Sequence, residues 1–244
     1  LVNYPLSKFS RIELSTSLGW SRKDHFFDET DLESVLLSNS VAFVNDHTLY
    51  GPNGPESGWR GILTAGYTTD VLNSNVSYYT LSADVRHYYR IVPGVTFASW
   101  GMARANVGRR ARLSLIGGSW SLRGYPFLRL RSRAMWFTSQ ELRFPIAISP
   151  SAWIPVLAPF GINNIRGALF VDAAHLWNDG YSDVSFDSGS GYNVGTTLGS
   201  AGAGLRVNIF NAIVLRYDLG YRFPNGFSWD ERQPFNQFFF GWDF

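Results

Sequence analysis

The chain has 244 residues, of which 16 % are aromatic, 16 % are charged and none is cysteine, and its formal net charge is +2. The absence of cysteine excludes a disulfide framework and thiol chemistry. A net charge this close to zero, without a lysine-rich patch, argues against a nucleic-acid partner. The longest apolar runs fall far short of the ~18 residues that a spanning helix needs. A membrane protein of this composition must therefore be a closed β-barrel.

Predicted strands in which apolar and polar residues alternate account for most of the chain up to residue 107. Tyr79 and Leu81 share one face of a predicted strand, and Asp84 and Arg86 share the other, which is the period of two expected for a strand with one apolar face. We expect such strands over 9–22, 35–45, 59–69, 76–91 and 95–107, with loops over 23–33 and 47–58. Strands of ~11 to 15 residues exceed the usual 5 or 6 and are typical of a transmembrane barrel.

A basic stretch interrupts the strands at residues 109–133. It contains seven arginines and no carboxylate, and its centre reads Gly117-Gly118-Ser119-Trp120-Ser121-Leu122-Arg123-Gly124-Tyr125-Pro126. The glycines and proline predict a compact, tightly turned loop. A basic loop held this compactly inside a β protein needs an anionic anchor elsewhere in the chain.

The second half returns to strands, predicted over 135–146, 165–177, 198–210, 212–223 and 235–244. Loops are predicted over 149–164 and 178–197. In the hairpin centred on Asn211, Arg206, Arg216 and Asp218 fall on the inward face. The whole chain thus predicts an all-β, antiparallel, up-and-down transmembrane β-barrel domain over residues 1–244, with about ten strands and loops that alternate between long and short.

Several segments resemble, in the same order, the BamA/TamA-type outer-membrane barrel superfamily, also called bacterial surface antigens. Ser121-Leu122-Arg123-Gly124-Tyr125 is similar to the Arg-Gly-aromatic motif of its long loop. Residues 139–145 and 168–177 are similar to the next two strands, which carry an inward glutamate and an inward aspartate; here these are Glu141 and Asp172. The resemblance covers residues 95–244 well and the first third only generically.

The resemblance implies that the 109–133 loop folds back into the barrel lumen and that Arg123 binds Glu141, Asp172 or both. Leu122, Gly124 and Tyr125 complete the motif. Both carboxylates lie on neighbouring predicted strands, and a carboxylate that faced lipid would be costly, which also favours the lumen. In the alternative interpretation, Arg123 is a solvated loop arginine that binds lipopolysaccharide phosphates together with its basic neighbours.

The two ends of the predicted sheet determine whether it closes. Residues 235–244 form the terminal strand, and its aromatic face resembles the recognition signal of the family; that face comprises Phe238, Phe240, Trp242 and Phe244. Strand 9–22 either pairs with this strand or is an open edge that is completed elsewhere. Family barrels usually have about sixteen strands, so the chain is either the C-terminal part of a larger barrel or a reduced barrel.

By resemblance, we expect a bacterial outer-membrane barrel that assembles or translocates proteins. Its expected partners are outer-membrane lipids, lipopolysaccharide, client proteins and an N-terminal periplasmic domain. The alternatives are a passive pore or structural barrel, an outer-membrane hydrolase, and a soluble carbohydrate-binding β domain whose aromatics line a groove. The sequence lacks the common hydrolase and metalloprotease motifs, and its four histidines are scattered. We therefore expect no enzymatic activity, no cofactor and no metal site.

Overall fold

The structure is a computed structural model of the chain. It describes residues 1–23, 32–51, 54–148, 162–177, 197–209 and 213–241. These residues form strands and turns, and none of them belongs to a helix long and apolar enough to cross a membrane. The loops predicted over 149–164 and 178–197 lie largely outside the described residues.

Fourteen strands are present in the described residues: β1 (Val2–Pro5), β2 (Ser10–Lys23), β3 (Leu32–Asp46), β4 (Leu49–Gly51), β5 (Gly54–Asp70), β6 (Ser77–Val92), β7 (Val95–Arg109), β8 (Ser114–Ile116), β9 (Leu130–Ser132), β10 (Ala134–Ile148), β11 (Ile162–Trp177), β12 (Thr197–Ile209), β13 (Ile213–Phe223) and β14 (Gln233–Gly241). Ten of them have between 9 and 17 residues. The prediction of about ten long strands in an all-β chain is confirmed.

The long strands form one antiparallel sheet in which neighbours in sequence are neighbours in space. Its order is β1-β2-β3-β5-β6-β7-β10-β11-β12-β13-β14, and β4 pairs with β5. β7 lies beside β10 because β8 and β9 form a separate hairpin within the loop that connects them. This is the predicted up-and-down arrangement.

Two segments differ from the prediction. The loop predicted over 47–58 contains β4 and the start of β5, and these two strands form a short hairpin with a register shift between Leu49 and Tyr50. Pro55 lies opposite Tyr50 in this hairpin, because proline is tolerated at such irregular or edge positions of a sheet. The other segment is β1, which was not predicted and pairs with β2 through Val2 to Pro5.

One face of the sheet, called here the outer face, is covered with exposed apolar side chains. It carries large hydrophobic residues on nearly every long strand, among them Leu14, Leu18, Val41, Phe43, Leu63, Leu81, Val85, Leu169, Leu205, Leu219, Phe238 and Phe240. A soluble protein rarely exposes so much contiguous apolar surface. Apolar side chains outside and polar ones inside, in strict alternation, are typical of a barrel wall that faces lipid.

The sheet is open at both ends in the part of the chain that the structure describes. β1 and β14 are the edge strands and are not paired with each other. β1 covers only Arg11 to Leu14 of β2. Of the two arrangements predicted for the first strand, the described residues show the open edge.

Candidate functional site

The loop between β7 and β10, residues 110–133, lies on the opposite, inner face of the sheet and will be called the motif loop. Its side chains Leu122 and Tyr125 are buried in an apolar cluster with residues of several strands, namely Trp100, Met135, Phe137, Ala174, Leu176 and Leu198. The β8–β9 hairpin contributes Ile116 and Leu130 to the same cluster. The loop is thus packed as a layer on the inner face, and Arg123 is placed against the wall.

Two glycines allow this close packing. Gly117 has a φ of 117° and Gly124 a φ of 81°, which is the left-handed region that side chains with a Cβ rarely adopt. At Gly124 an added Cβ would also lie 2.6 Å from the ring of Phe235 on β14. Glycine is therefore required at this position of the motif both by the backbone conformation and by the available space.

Arg123 binds the wall through all three nitrogens of its side chain. Nε donates to Asp172 Oδ2 over 2.7 Å, and Nη2 donates to Asp172 Oδ1 over 2.6 Å. Nη1 donates to Glu141 Oε2 over 2.8 Å, while Nη2 also reaches Ser139 Oγ at 2.9 Å. This is the two-pronged geometry in which a guanidinium binds a carboxylate, and a lysine cannot reproduce it. We call Arg123, Glu141 and Asp172 the loop lock.

Glu141 is shared among three arginines. Besides Arg123, Arg143 donates from Nε to Glu141 Oε1 and Arg206 donates from Nη2 to Glu141 Oε2, each over 2.6 Å. All of these side chains, and Asp172, are buried. The three guanidinium groups and two carboxylates leave the cluster with one excess positive charge. Buried charges of this kind are tolerated because each is paired and hydrogen-bonded.

The environment keeps Arg123 charged. Burial alone would lower the pKa of its guanidinium, but the carboxylates of Asp172 and Glu141 outweigh this effect and raise the pKa above its usual value. The guanidinium also lies over the ring of Phe170, with its carbon 3.7 Å from the ring centroid, which adds a cation–π contact. The lock is thus a buried electrostatic contact between the loop and two strands.

The structure brings Arg123, Glu141 and Asp172 together, and it places Leu122 and Tyr125 in the apolar cluster beside them. Phe238 and Phe240 lie on the outer face as predicted, whereas Trp242 and Phe244 lie outside the described residues. Sequence reasoning did not give Ser139 and Arg206 as partners of the lock. The apolar–polar alternation of β10 and β12 indicated that both side chains face inward. Their contacts with the lock, however, depend on the register of several paired strands. In the residues that the structure describes, no group of three or more His, Cys, Asp or Glu side chains could hold a metal ion.

The Omp85 superfamily domain matches residues 8–244. The chain belongs to the Omp85 superfamily. A solved structure of BamA from Haemophilus ducreyi lacking POTRA domains 1–3 is similar to it, with a TM-score of 0.68 and 17 % sequence identity. The match covers 98 % of this chain and 52 % of that one, so the chain spans about half the length of the BamA structure. No curated protein matches the chain.

Membership of the Omp85 superfamily confirms the family predicted from the motif and its two following strands. It also places the chain in the bacterial outer membrane. The outer face of the sheet is therefore the lipid-facing face, and the motif loop lies on the opposite, inner face.

Proposed function

We propose that this chain is the barrel portion of an outer-membrane machine that inserts or translocates proteins by strand pairing at its edge, without covalent catalysis. The observation that carries the proposal is that the two edge strands, β1 and β14, are not hydrogen-bonded to each other in the described residues. Unpaired strand edges are templates for an added strand. In lipid each unsatisfied backbone group costs several kcal/mol, so these edges need a partner.

The inner face argues against a passive pore. The motif loop covers the inner side of β10 to β14, and a buried cluster of arginines and carboxylates lies beneath it. An open channel would require water along that surface. The covered inner face of β10 to β14 instead fits a barrel that works at its edge and not through its centre.

We further propose three kinds of partner. Because the chain spans about half the length of the BamA structure, the first is the remainder of a larger protein, including strands that extend the sheet beyond β1 and β2 and an N-terminal periplasmic domain. The second is the set of client proteins whose strands pair with the edge. The third is the surrounding membrane, with lipopolysaccharide as the lipid of its outer leaflet.

The function can be tested in vesicles that contain the purified protein. We expect it to accelerate the folding of an unfolded client barrel at least tenfold over empty vesicles, and the Arg123→Ala variant to lose most of this effect. Arg131→Ala, which removes an exposed arginine of the same loop, is the matched control and should retain it. Unchanged client folding, together with steady conductance in planar bilayers, would instead identify a pore.

A further inference from the structure

The motif loop makes a second set of contacts, away from the loop lock, with strand β13. Arg216 donates from Nη2 to the carbonyl oxygen of Ser119. Arg222 donates from Nη1 to the carbonyl oxygen of Gly124 over 2.9 Å. The hydroxyl of Tyr125 donates to the carbonyl oxygen of Phe223, at the end of β13, over 2.9 Å. Backbone carbonyls of the loop are thus held by side chains of β13.

A third set joins the loop to the terminal strand, β14. The backbone nitrogen of Gly124 donates to Gln237 Oε1 over 3.2 Å. Trp120 packs edge-on against Phe239, with ring centroids 4.7 Å apart. Gly124 also faces the ring of Phe235 so closely that no Cβ would fit. Three successive inward positions of β14 therefore contact the loop.

These contacts are important for β14 because it is an edge strand. In the described residues its backbone is paired on one side only, with β13 from Val214 to Arg222. Its outer face carries Phe238 and Phe240, which are exposed to lipid. The motif loop is the layer that covers its inner face. A strand with a single hydrogen-bonded neighbour is the part of a sheet most easily opened.

We infer that the motif loop is a clasp for the terminal strand, so that release of the loop lock on β10 and β11 also loosens β14. The loop connects the two sites directly, because Arg123 and Gly124 are adjacent: the first binds Asp172 and the second binds Gln237. The clasp controls access to the edge at which a client strand would pair. Its role in client handling rests on the proposed function, whereas the coupling itself does not.

Hydrogen exchange measured by mass spectrometry on the purified protein in lipid nanodiscs tests the coupling without any client. In Arg123→Ala we expect the amides of 233–241 to exchange at least tenfold faster than in the wild type, while those of β6, deep in the sheet, are unchanged. Arg131→Ala should leave both regions unchanged. Faster exchange of the loop with unchanged exchange of β14 would overturn the inference, and so would unchanged exchange of both.

A second variant removes the contacts between the motif loop and β14 and leaves the loop lock intact. Trp120→Ala combined with Gln237→Leu removes contacts to β14 but keeps Arg123 with its carboxylates. We expect tenfold faster exchange of 233–241 with the loop still protected, and unchanged exchange there would overturn the inference. The outcome is independent of client folding, so failure of the clasp and failure of the proposed function are distinguishable.

A tether provides the converse experiment. The chain has no cysteine, so Trp120→Cys and Phe239→Cys can be joined selectively by a short bismaleimide linker. In the Arg123→Ala background, linking should restore the slow exchange of 233–241 relative to the unlinked double-cysteine protein. If linking leaves the fast exchange of β14 unchanged, the loop does not hold that strand.

Discussion

Glu141 is the residue on which most of the buried charges depend. It is the common acceptor for Arg123, Arg143 and Arg206. Guanidinium groups stay protonated at every accessible pH, so they cannot neutralise themselves when their anion is removed. Loss of this one carboxylate would leave three buried positive charges facing one another, with Asp172 as the nearest remaining anion.

We therefore expect Glu141→Gln to lower the free energy of unfolding by about 3–5 kcal/mol, since it breaks a buried ion pair while preserving the side-chain shape. Urea unfolding in lipid vesicles measures this value. The matched control is Glu56→Gln, because Glu56 pairs with the exposed Arg90 at 3.5 Å, and a solvated pair contributes less than about 1 kcal/mol. A loss for Glu141→Gln no larger than that of the control would show that the cluster is not shielded from water beneath the motif loop.

At the scale of the element, β14 has two faces with separate roles. Its inward residues Phe235, Gln237 and Phe239 meet the motif loop, and its outward residues Phe238 and Phe240 are exposed. The sequence alternation predicted the outward pair. The inward aromatics were not predicted as contacts, because their partners come from a loop more than 100 residues earlier in the chain.

Replacing the outward pair by asparagine, Phe238→Asn with Phe240→Asn, should reduce assembly of the protein in the outer membrane. Each phenylalanine contributes about 1.5–3 kcal/mol when it leaves water for an apolar environment, and asparagine removes that gain. The heat-modifiable folded fraction in outer-membrane preparations reports assembly. Asn236→Gln, on the same face, serves as the control and should assemble normally. Normal assembly of the double variant would contradict a lipid-facing role for this face.

The accuracy of the sequence prediction differs between long and short strands for a physical reason. Each long strand has one face in lipid and one in the lumen, so alternation repeats often enough to define β2, β6 or β11. The strands β1, β4, β8 and β9 have only three or four residues each. Three or four positions are too few to show an alternation of apolar and polar residues. The β4–β5 hairpin was hidden further by its glycines and Pro55, which are typical of loops.

At the scale of the whole molecule, sequence patterns also failed to predict the contacts of the loop lock that depend on the pairing of several strands. The family motif pointed to Arg123, Glu141 and Asp172, and all three meet in the structure. The contact between Arg206 and Glu141 joins β12 to β10 across β11, and it depends on the register of both intervening pairings. Register is set by the assembled sheet, so a single strand's pattern cannot predict it.

In the part of the chain that the structure describes, the molecule is thus an open antiparallel sheet with a lipid-facing outer side and an inner side bound to one loop. Through the motif loop, β10 and β11 are connected to β13 and β14. This arrangement ties the centre of the sheet to its terminal edge, which is where the proposed strand pairing takes place. The account depends above all on Arg123 being held by the wall in the membrane.

A double-mutant cycle between Arg123 and Asp172 measures that contact most directly. The unfolding free energies of Arg123→Ala, Asp172→Ala, the double variant and the wild type are compared in lipid vesicles. Two short hydrogen bonds at 2.7 and 2.6 Å in a buried site predict a coupling of about 2–3 kcal/mol, and Arg123→Lys should recover only part of the loss. A coupling below about 0.5 kcal/mol would show that the two side chains do not meet and would contradict the loop lock.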